Sequence, residues 1–281
     1  MQTSVLRLLT CGSVDDGKST LIGRLLVETD SVPHDTVGAA RHVRRAGSTI
    51  AAGEIDFSLL TDGLEAEREQ GITIDVAYRS MSLLDGRRLI ISDAPGHEQY
   101  TRNMAVAASR ADIAIVLVDA TKGVRTQTLR HLMICNLMGV SRVVVAINKL
   151  DAVAYSHDVF TSIQNDLLAQ MSRFNLPDIH FIPMSALAGD NVITHSSAMP
   201  WYDGQSLLDC IQSWHPQKSA DITMRARVQS IVRAEDFRGV STTIHRGSIS
   251  CGDRVSIFPS NQSATIATIV SDMKNVQSAA E

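Results

Sequence analysis

The chain is predicted to be an α/β protein, a doubly wound and mostly parallel sheet followed by a small all-β domain. Three observations predict it. Residues 5–10, 113–119 and 143–148 are short, dense in Val, Ile and Leu, and free of polar alternation, as parallel strands buried on both faces are. Helix-patterned stretches such as 99–109 and 126–138 separate such runs. Beyond residue 220 the pattern changes to short strands divided by Gly and Asp turns.

The first strand runs into Gly12-Ser13-Val14-Asp15-Asp16-Gly17-Lys18-Ser19, a G-x-x-x-x-G-K-[ST] match that opens a helix near Ser19. Strand, glycine loop and helix in that order make a phosphate cradle. The loop N–H groups wrap the anion, the helix N-terminus adds positive potential, and Lys18 reaches the β- and γ-phosphates. Ser19 offers its hydroxyl to Mg²⁺, and Thr20 follows in the first helical turn as part of the nucleotide contact set. Asp15 and Asp16 cannot face phosphate, so they are expected to turn toward cations or backbone donors. Cys11 reads as a small buried residue. Residues 31–71 are polar and Gly-dotted; so long a segment is read as a partly helical, mobile region that orders on ligand. Its basic run 41–45 is read as a solvated face. Residues 74–84 and 87–93 flank Asp85-Gly86, a hairpin turn signal that places one antiparallel strand in the sheet. Met133 and Met138, in the helix after Thr126, are read as core.

Residues 155–215 continue the α/β pattern with a helix near 158–174, a strand near 179–184 and a helix near 204–214. The first domain is therefore expected at 1–215, a linker at 215–220, and the all-β domain at 221–281. Four strands are expected there, at 223–232, 240–250, 254–258 and 264–270. The tail 271–281 is polar and carries no strand signal, so the barrel is expected to be incomplete.

Further motifs follow the loop in order. Asp93-Ala94-Pro95-Gly96 ends an apolar strand; Asp93 suits Mg²⁺, and Gly96 lets a backbone N–H approach a γ-phosphate. His97, next in the chain, is a candidate for orienting an attacking water. Asn148-Lys149-Leu150-Asp151 ends another strand. Guanine presents two adjacent donors, which the Asp151 carboxylate accepts as a fork; adenine would leave that carboxylate unpaired. Asn148 can bridge base and loop, and the Lys149 stem can cover a base face. Ser185-Ala186-Leu187 follows the next strand and can offer a backbone N–H to the guanine O6. Together these pieces specify GTP with Mg²⁺. Thr73 has two readings at this level: it completes the Mg²⁺ shell, or it simply opens a strand.

Composition sets bounds. A 44% hydrophobic, 20% charged chain of 281 residues has the makings of a packed core and argues against disorder. The net charge of −4 and 4% aromatic content disfavour nucleic-acid binding and a basic membrane-facing surface. The four cysteines are scattered without a C-x-x-C pair, which suits a reducing compartment and suggests no zinc site. The N-terminal apolar run is too short for a signal-peptide core or a membrane span, so the expected location is the cytoplasm.

The loop GSVDDGKSTLIGRLL, the segment AEREQGITIDVAYR, the run DAPGHEQYTRNM, the NKLD tetrad, and the GDNV and PWYDG segments together resemble the GTPase subunits of bacterial sulfate adenylyltransferases, a branch of the translation-factor GTPase superfamily. Asp15-Asp16 stands where elongation factors carry Asp-His. The resemblance implies a P-loop GTPase domain followed by β-barrels. It also implies a heterodimer with a smaller catalytic subunit that makes adenylyl sulfate from ATP and sulfate, driven by GTP hydrolysis. It makes Thr73 the switch threonine, the segment from Asp93 to Gly96 the second switch, and His97 the water-positioning histidine. The family's first barrel looks unfinished here and its second absent, and no second P-loop of a fused kinase is seen. Two alternatives stay open: a translation factor that delivers RNA, and a GTP-binding module without productive coupling.

Overall fold

A computed structural model of the chain describes residues 5–42, 55–60, 76–171, 178–215, 223–234, 237–271 and 273–280. The chain divides into two compact units, Met1–Pro216 and Gln217–Glu281.

The first unit is built on strands β1 (Val5–Cys11), β2 (Ala77–Ser82), β3 (Arg88–Asp93), β4 (Ile113–Asp119), β5 (Arg142–Asn148) and β6 (Ile179–Pro183), in sheet order β2-β3-β1-β4-β5-β6. All neighbours are parallel except β2, which runs antiparallel to β3 across the Asp85-Gly86 turn. The strand order therefore reverses at β1, the switch point where ligands of open α/β sheets bind.

Helices α1 (Lys18–Glu28), α2 (His34–His42), α3 (Thr101–Ala108), α4 (Thr126–Met138), α5 (His157–Met171) and α6 (Leu207–Ser213) complete the unit, with a one-turn 3₁₀ helix at Phe57–Leu60. The central strands divide their side chains between two cores, as the period-two geometry of a strand requires. Ile113, Ile115 and Leu117 pack with α1 and α6 through Leu21, Leu25 and Ile211. Ala114, Val116 and Val118 pack with α3, α4 and α5 through Met104, Leu132 and Leu167. Strands covered on both sides need no polar alternation, which is why β1, β4 and β5 read as continuous apolar runs.

Three expectations are corrected here. Met133 and Met138 are not core: Met133 is 52% and Met138 36% exposed. In α4 the buried residues are Thr128, His131, Leu132, Ile134 and Cys135; four of them make an i, i+3, i+4, i+7 set, and Met133 lies outside it. The tail is not strandless either. The second unit contains β7 (Arg225–Ala234), β8 (Phe237–Arg246), β9 (Ser248–Ser250), β10 (Arg254–Ile257), β11 (Gln262–Thr265), β12 (Ile269–Ser271), β13 (Lys274–Val276) and β14 (Ser278–Ala280). The last two are short and poor in β-branched residues, but backbone pairing with β12 and β9 holds them. The long strands expected at 240–250 and 264–270 are each broken in two. Gly247, at φ 73°, makes the first break. Among the described residues these strands form antiparallel pairs only, and none of the unit's side chains is buried.

Candidate functional site

Every site residue that the structure describes is the last residue of β3 or β5, lies on the segment that follows β1, β3, β5 or β6, or stands on the first turn of α1. Thr73 lies outside the described residues.

The phosphate loop links β1 to α1. Asp15 and Gly17 have φ of 68° and 95°, the left-handed geometry that turns successive N–H groups toward one concavity. Among the described residues the N–H groups of Asp15, Gly17, Lys18, Ser19 and Thr20 donate to no protein acceptor. That is a row of open donors at a helix N-terminus, the arrangement an anion fills.

Lys18 is buried, and its Nζ donates to Gly12 O at 3.0 Å and Ser13 O at 2.8 Å. Burial pulls its pKa down, while Asp93 and Asp16 push it back up. Asp16 meets the expectation of a backbone donor: its Oδ2 accepts the Ser13 N–H at 2.6 Å and staples the loop across its mouth. Asp15 is exposed and makes no hydrogen bond among the described residues. Burial raises the Asp16 pKa, with the Lys18 charge opposing. Asp16 Oδ1 and Ser13 Oγ are buried without a partner among the described residues.

The segment from Asp93 to Gly96 lies against this loop. Asp93 is 3% exposed and takes a hydrogen bond from Thr10 Oγ1 at 3.0 Å. A Cβ added at Gly96 would stand 2.5 Å from Gly12 O and 2.6 Å from Lys18 Nζ, so only glycine allows this approach. Ala94 and Pro95 are both buried. His97 caps the short Glu98–Tyr100 helix, its Nδ1 accepting the Gln99 N–H at 3.3 Å. That bond leaves Nε2 as the ring atom available outward.

Asn148, 2% exposed, ties the two ends of the site together. Its Nδ2 donates to Asp16 O at 2.8 Å, and its Oδ1 accepts the Ala186 N–H at 2.8 Å. A Cβ at Gly17 would fall 2.4 Å from Asn148 Nδ2, so the second glycine of the loop is where this side chain passes. Leu150 is in the core, whereas Asp151 is exposed and its carboxylate has no hydrogen bond among the described residues. Lys149, at φ 64°, carries its Nζ to Asp119 Oδ2 at 2.8 Å. Asp119 also accepts from Thr121 N and Oγ1, and these donors with Lys149 hold its carboxyl below the usual range against the cost of burial.

Ser185, Ala186 and Leu187 follow β6. Ser185 N donates to Asp190 O at 3.2 Å, and Ser185 Oγ accepts the Ala188 N–H at 3.0 Å. Asp190 itself accepts from Tyr155 OH at 2.8 Å and Ser196 Oγ at 2.6 Å. Three supporting residues were missed at sequence level: Asp119, Asp190 and Arg24. Asp190 stands inside the GDNV segment, the one signal that could have pointed to it. Asp119 is the residue at the end of β4 beside Asn148 in register. Arg24 is 162 residues from its partner Ala186, which no local pattern reveals.

Among the described residues no trio of His, Cys, Asp or Glu is grouped to hold a metal, and no helix is long and apolar enough to cross a membrane. The hydroxyl of Ser19 and the carboxylate of Asp93 are hard oxygen donors of the kind Mg²⁺ takes beside a phosphate.

Comparison with known proteins agrees with this architecture. The chain is 46% identical over 272 residues to sulfate adenylyltransferase subunit 1 of Francisella tularensis subsp. novicida, covering 96% of this chain and 57% of that protein. It is 48% identical over 281 residues to the subunit of that name from Citrobacter koseri, covering 98% and 58% respectively. The chain thus spans less than two thirds of these relatives. The crystal structure of the S. cerevisiae Ski7 GTPase-like domain bound to GTP superposes with a TM-score of 0.61 over 99% of this chain and 68% of that one, at 15% identity. That likeness is one of fold. The family described as the elongation factor Tu GTP binding domain matches residues 3–250. With the loop, the Asp93–Gly96 segment and the Asn148 tie all at the carboxyl ends of one sheet's strands, this chain belongs to the elongation factor Tu GTP-binding domain family.

Proposed function

We propose that the site holds GTP with Mg²⁺ and hydrolyses it, and that the chain acts as the GTPase subunit of a sulfate adenylyltransferase. The observation that carries the nucleotide reading is Asn148. It fastens a loop of open N–H donors to the 185–187 loop, and the exposed Asp151 follows it in the same motif. The two donors of guanine satisfy that carboxylate as a fork, and adenine cannot.

When bound, Mg²⁺ neutralises charge on the phosphates and orients them. Ser19 and Asp93 would hold it, with Thr73 as the third ligand that the family resemblance implies. The open N–H groups of Asp15, Gly17, Lys18, Ser19 and Thr20 bind the phosphates, together with the third donor of the Lys18 ammonium, whose other two stay on the loop carbonyls. His97, its ring fixed through Nδ1, orients water at the γ-phosphate. Catalysis by such a site is positioning and electrostatic stabilisation. The partner is proposed to be the smaller catalytic subunit, which forms adenylyl sulfate from ATP and sulfate. Cytoplasmic operation follows from that pairing and from the scattered, unpaired cysteines.

Calorimetry with purified, Mg²⁺-loaded protein tests the first step. GTP should bind and ATP should not, and Asp151→Asn should weaken GTP while admitting xanthosine triphosphate. Binding of ATP in preference to GTP overturns the reading. For the second step, GTP turnover should accelerate when the small subunit, ATP and sulfate are added; an unchanged rate removes the sulfate-coupling role and leaves nucleotide binding intact.

A further inference from the structure

The 185–187 loop has few donors left to offer a ligand. Ser185 N is bonded to Asp190 O, Ala186 N to Asn148 Oδ1, Ala188 N to Ser185 Oγ and Gly189 N to Ser185 O. Leu187 N alone in this stretch donates to no acceptor among the described residues. What fixes its direction is the peptide plane that it shares with the Ala186 carbonyl. In a planar trans peptide the C=O and the next N–H point to opposite sides, so whatever holds the Ala186 oxygen also aims the Leu187 N–H.

That holder is Arg24, on the phosphate-loop helix α1. Its Nε donates to Ala186 O at 2.6 Å and its Nη2 donates to Leu187 O. The guanidinium is itself fixed. Nη1 pairs with Glu28 one turn along the helix. The plane lies over the Phe57 ring, with the central carbon 4.4 Å from the ring centroid. The Arg24 side chain is only 12% exposed. A planar fork bonded to two successive carbonyls leaves the loop little rotational freedom.

We propose that Arg24 is a positioning residue for base recognition: by gripping the Ala186 and Leu187 carbonyls it turns the Leu187 N–H into the donor that reads the guanine O6. This rests on the guanine-nucleotide reading above and deepens it. Asp151 reads the two donors of the base, and the Arg24-held peptide reads its acceptor. The specificity loop is thereby anchored to the same helix that begins at the phosphates.

The test compares GTP with 6-thio-GTP, which keeps both donors for Asp151 but presents sulfur, a weaker acceptor, in place of O6. Equilibrium binding is measured for the unaltered protein, Arg24→Ala and Arg24→Lys, with melting curves to verify that each variant is folded. The unaltered protein should prefer GTP by about fivefold or more. Arg24→Ala should lose about tenfold in GTP affinity and much less for the thio analogue, so that the preference collapses. Arg24→Lys, which keeps a donor but not the fork, should restore part of it. Equal weakening of both nucleotides by Arg24→Ala means a merely structural role and overturns the proposal, as does unchanged GTP affinity. If the unaltered protein itself binds ATP as well as GTP, the guanine reading fails, and the proposal with it, before any variant is compared.

Discussion

Asn148→Ala is the most exposing perturbation of this molecule, because one buried side chain spans the site. The change removes two hydrogen bonds of 2.8 Å and leaves the Asp16 carbonyl and the Ala186 N–H unsatisfied. At 2% exposure, water does not readily replace the lost partners. Each orphaned backbone group costs about 1–3 kcal/mol, so the first unit should lose about 3 kcal/mol of stability. With a urea m-value of about 2–3 kcal/mol/M, the unfolding midpoint should fall by about 1–1.5 M. Both tryptophans, Trp201 and Trp214, lie in that unit, so tryptophan fluorescence follows it without interference from the second. GTP affinity should fall by a further tenfold to about a hundredfold, since the two loops are no longer registered to each other. Asp151→Asn, at an exposed neighbour, should leave the urea midpoint in place. An Asn148→Ala protein with a midpoint within about 0.3 M of the original and undiminished GTP affinity would refute the reasoning.

Two further outcomes are expected. Gly96→Ala drives a Cβ to 2.5 Å from Gly12 O, a backbone atom that cannot step aside, so single-turnover GTP hydrolysis should drop at least about tenfold with a stability cost of about 1–3 kcal/mol; unchanged hydrolysis would show that the close approach is dispensable. His131 supplies a pH test. Burial, with the Lys18 and Arg130 charges, pulls its pKa from 6.5 to about 3, and its Nδ1 has no partner among the described residues. Above pH 6.5 the ring is neutral whether folded or unfolded. As pH falls below 6.5 only the unfolded chain takes the proton, so stability is lost at about 1.4 kcal/mol per pH unit, or about 2 kcal/mol by pH 5. Urea midpoints of the original and His131→Gln measured from pH 7.5 to 5 should therefore converge in acid; parallel curves would refute the assignment.

Much of the first unit was legible because its signals are local. Strands covered on both faces write themselves as Val, Ile and Leu runs, and the loop, the Asp93 and Asn148 segments and the hairpin turn are all contiguous motifs. What stayed hidden was long-range or dependent on a face. Arg24 meets Ala186 only after the sheet has formed, and Asp119 gains its meaning from Lys149 just past the end of the adjacent strand. Met133 and Met138 fooled a composition-based reading because a helix decides burial by angle rather than by residue type. The tail strands β13 and β14 escaped notice because backbone pairing, not side-chain propensity, holds them. Asp16 shows the opposite case: electrostatic exclusion from phosphate was enough to anticipate a partner among cations or backbone donors, and the Ser13 N–H is that partner.

The resting place of Lys18 has a bearing on how any affinity measured here should be understood. An ammonium group already engaged by two carbonyl oxygens of its own loop is no bare cation awaiting an anion. Two of its three N–H donors are taken by those oxygens, so an incoming triphosphate engages the third and the free energy of capture adds an anion to a group already held in place. By the same token, departure of the nucleotide does not strand an unsolvated positive charge in the interior, because the two carbonyls remain bonded to it.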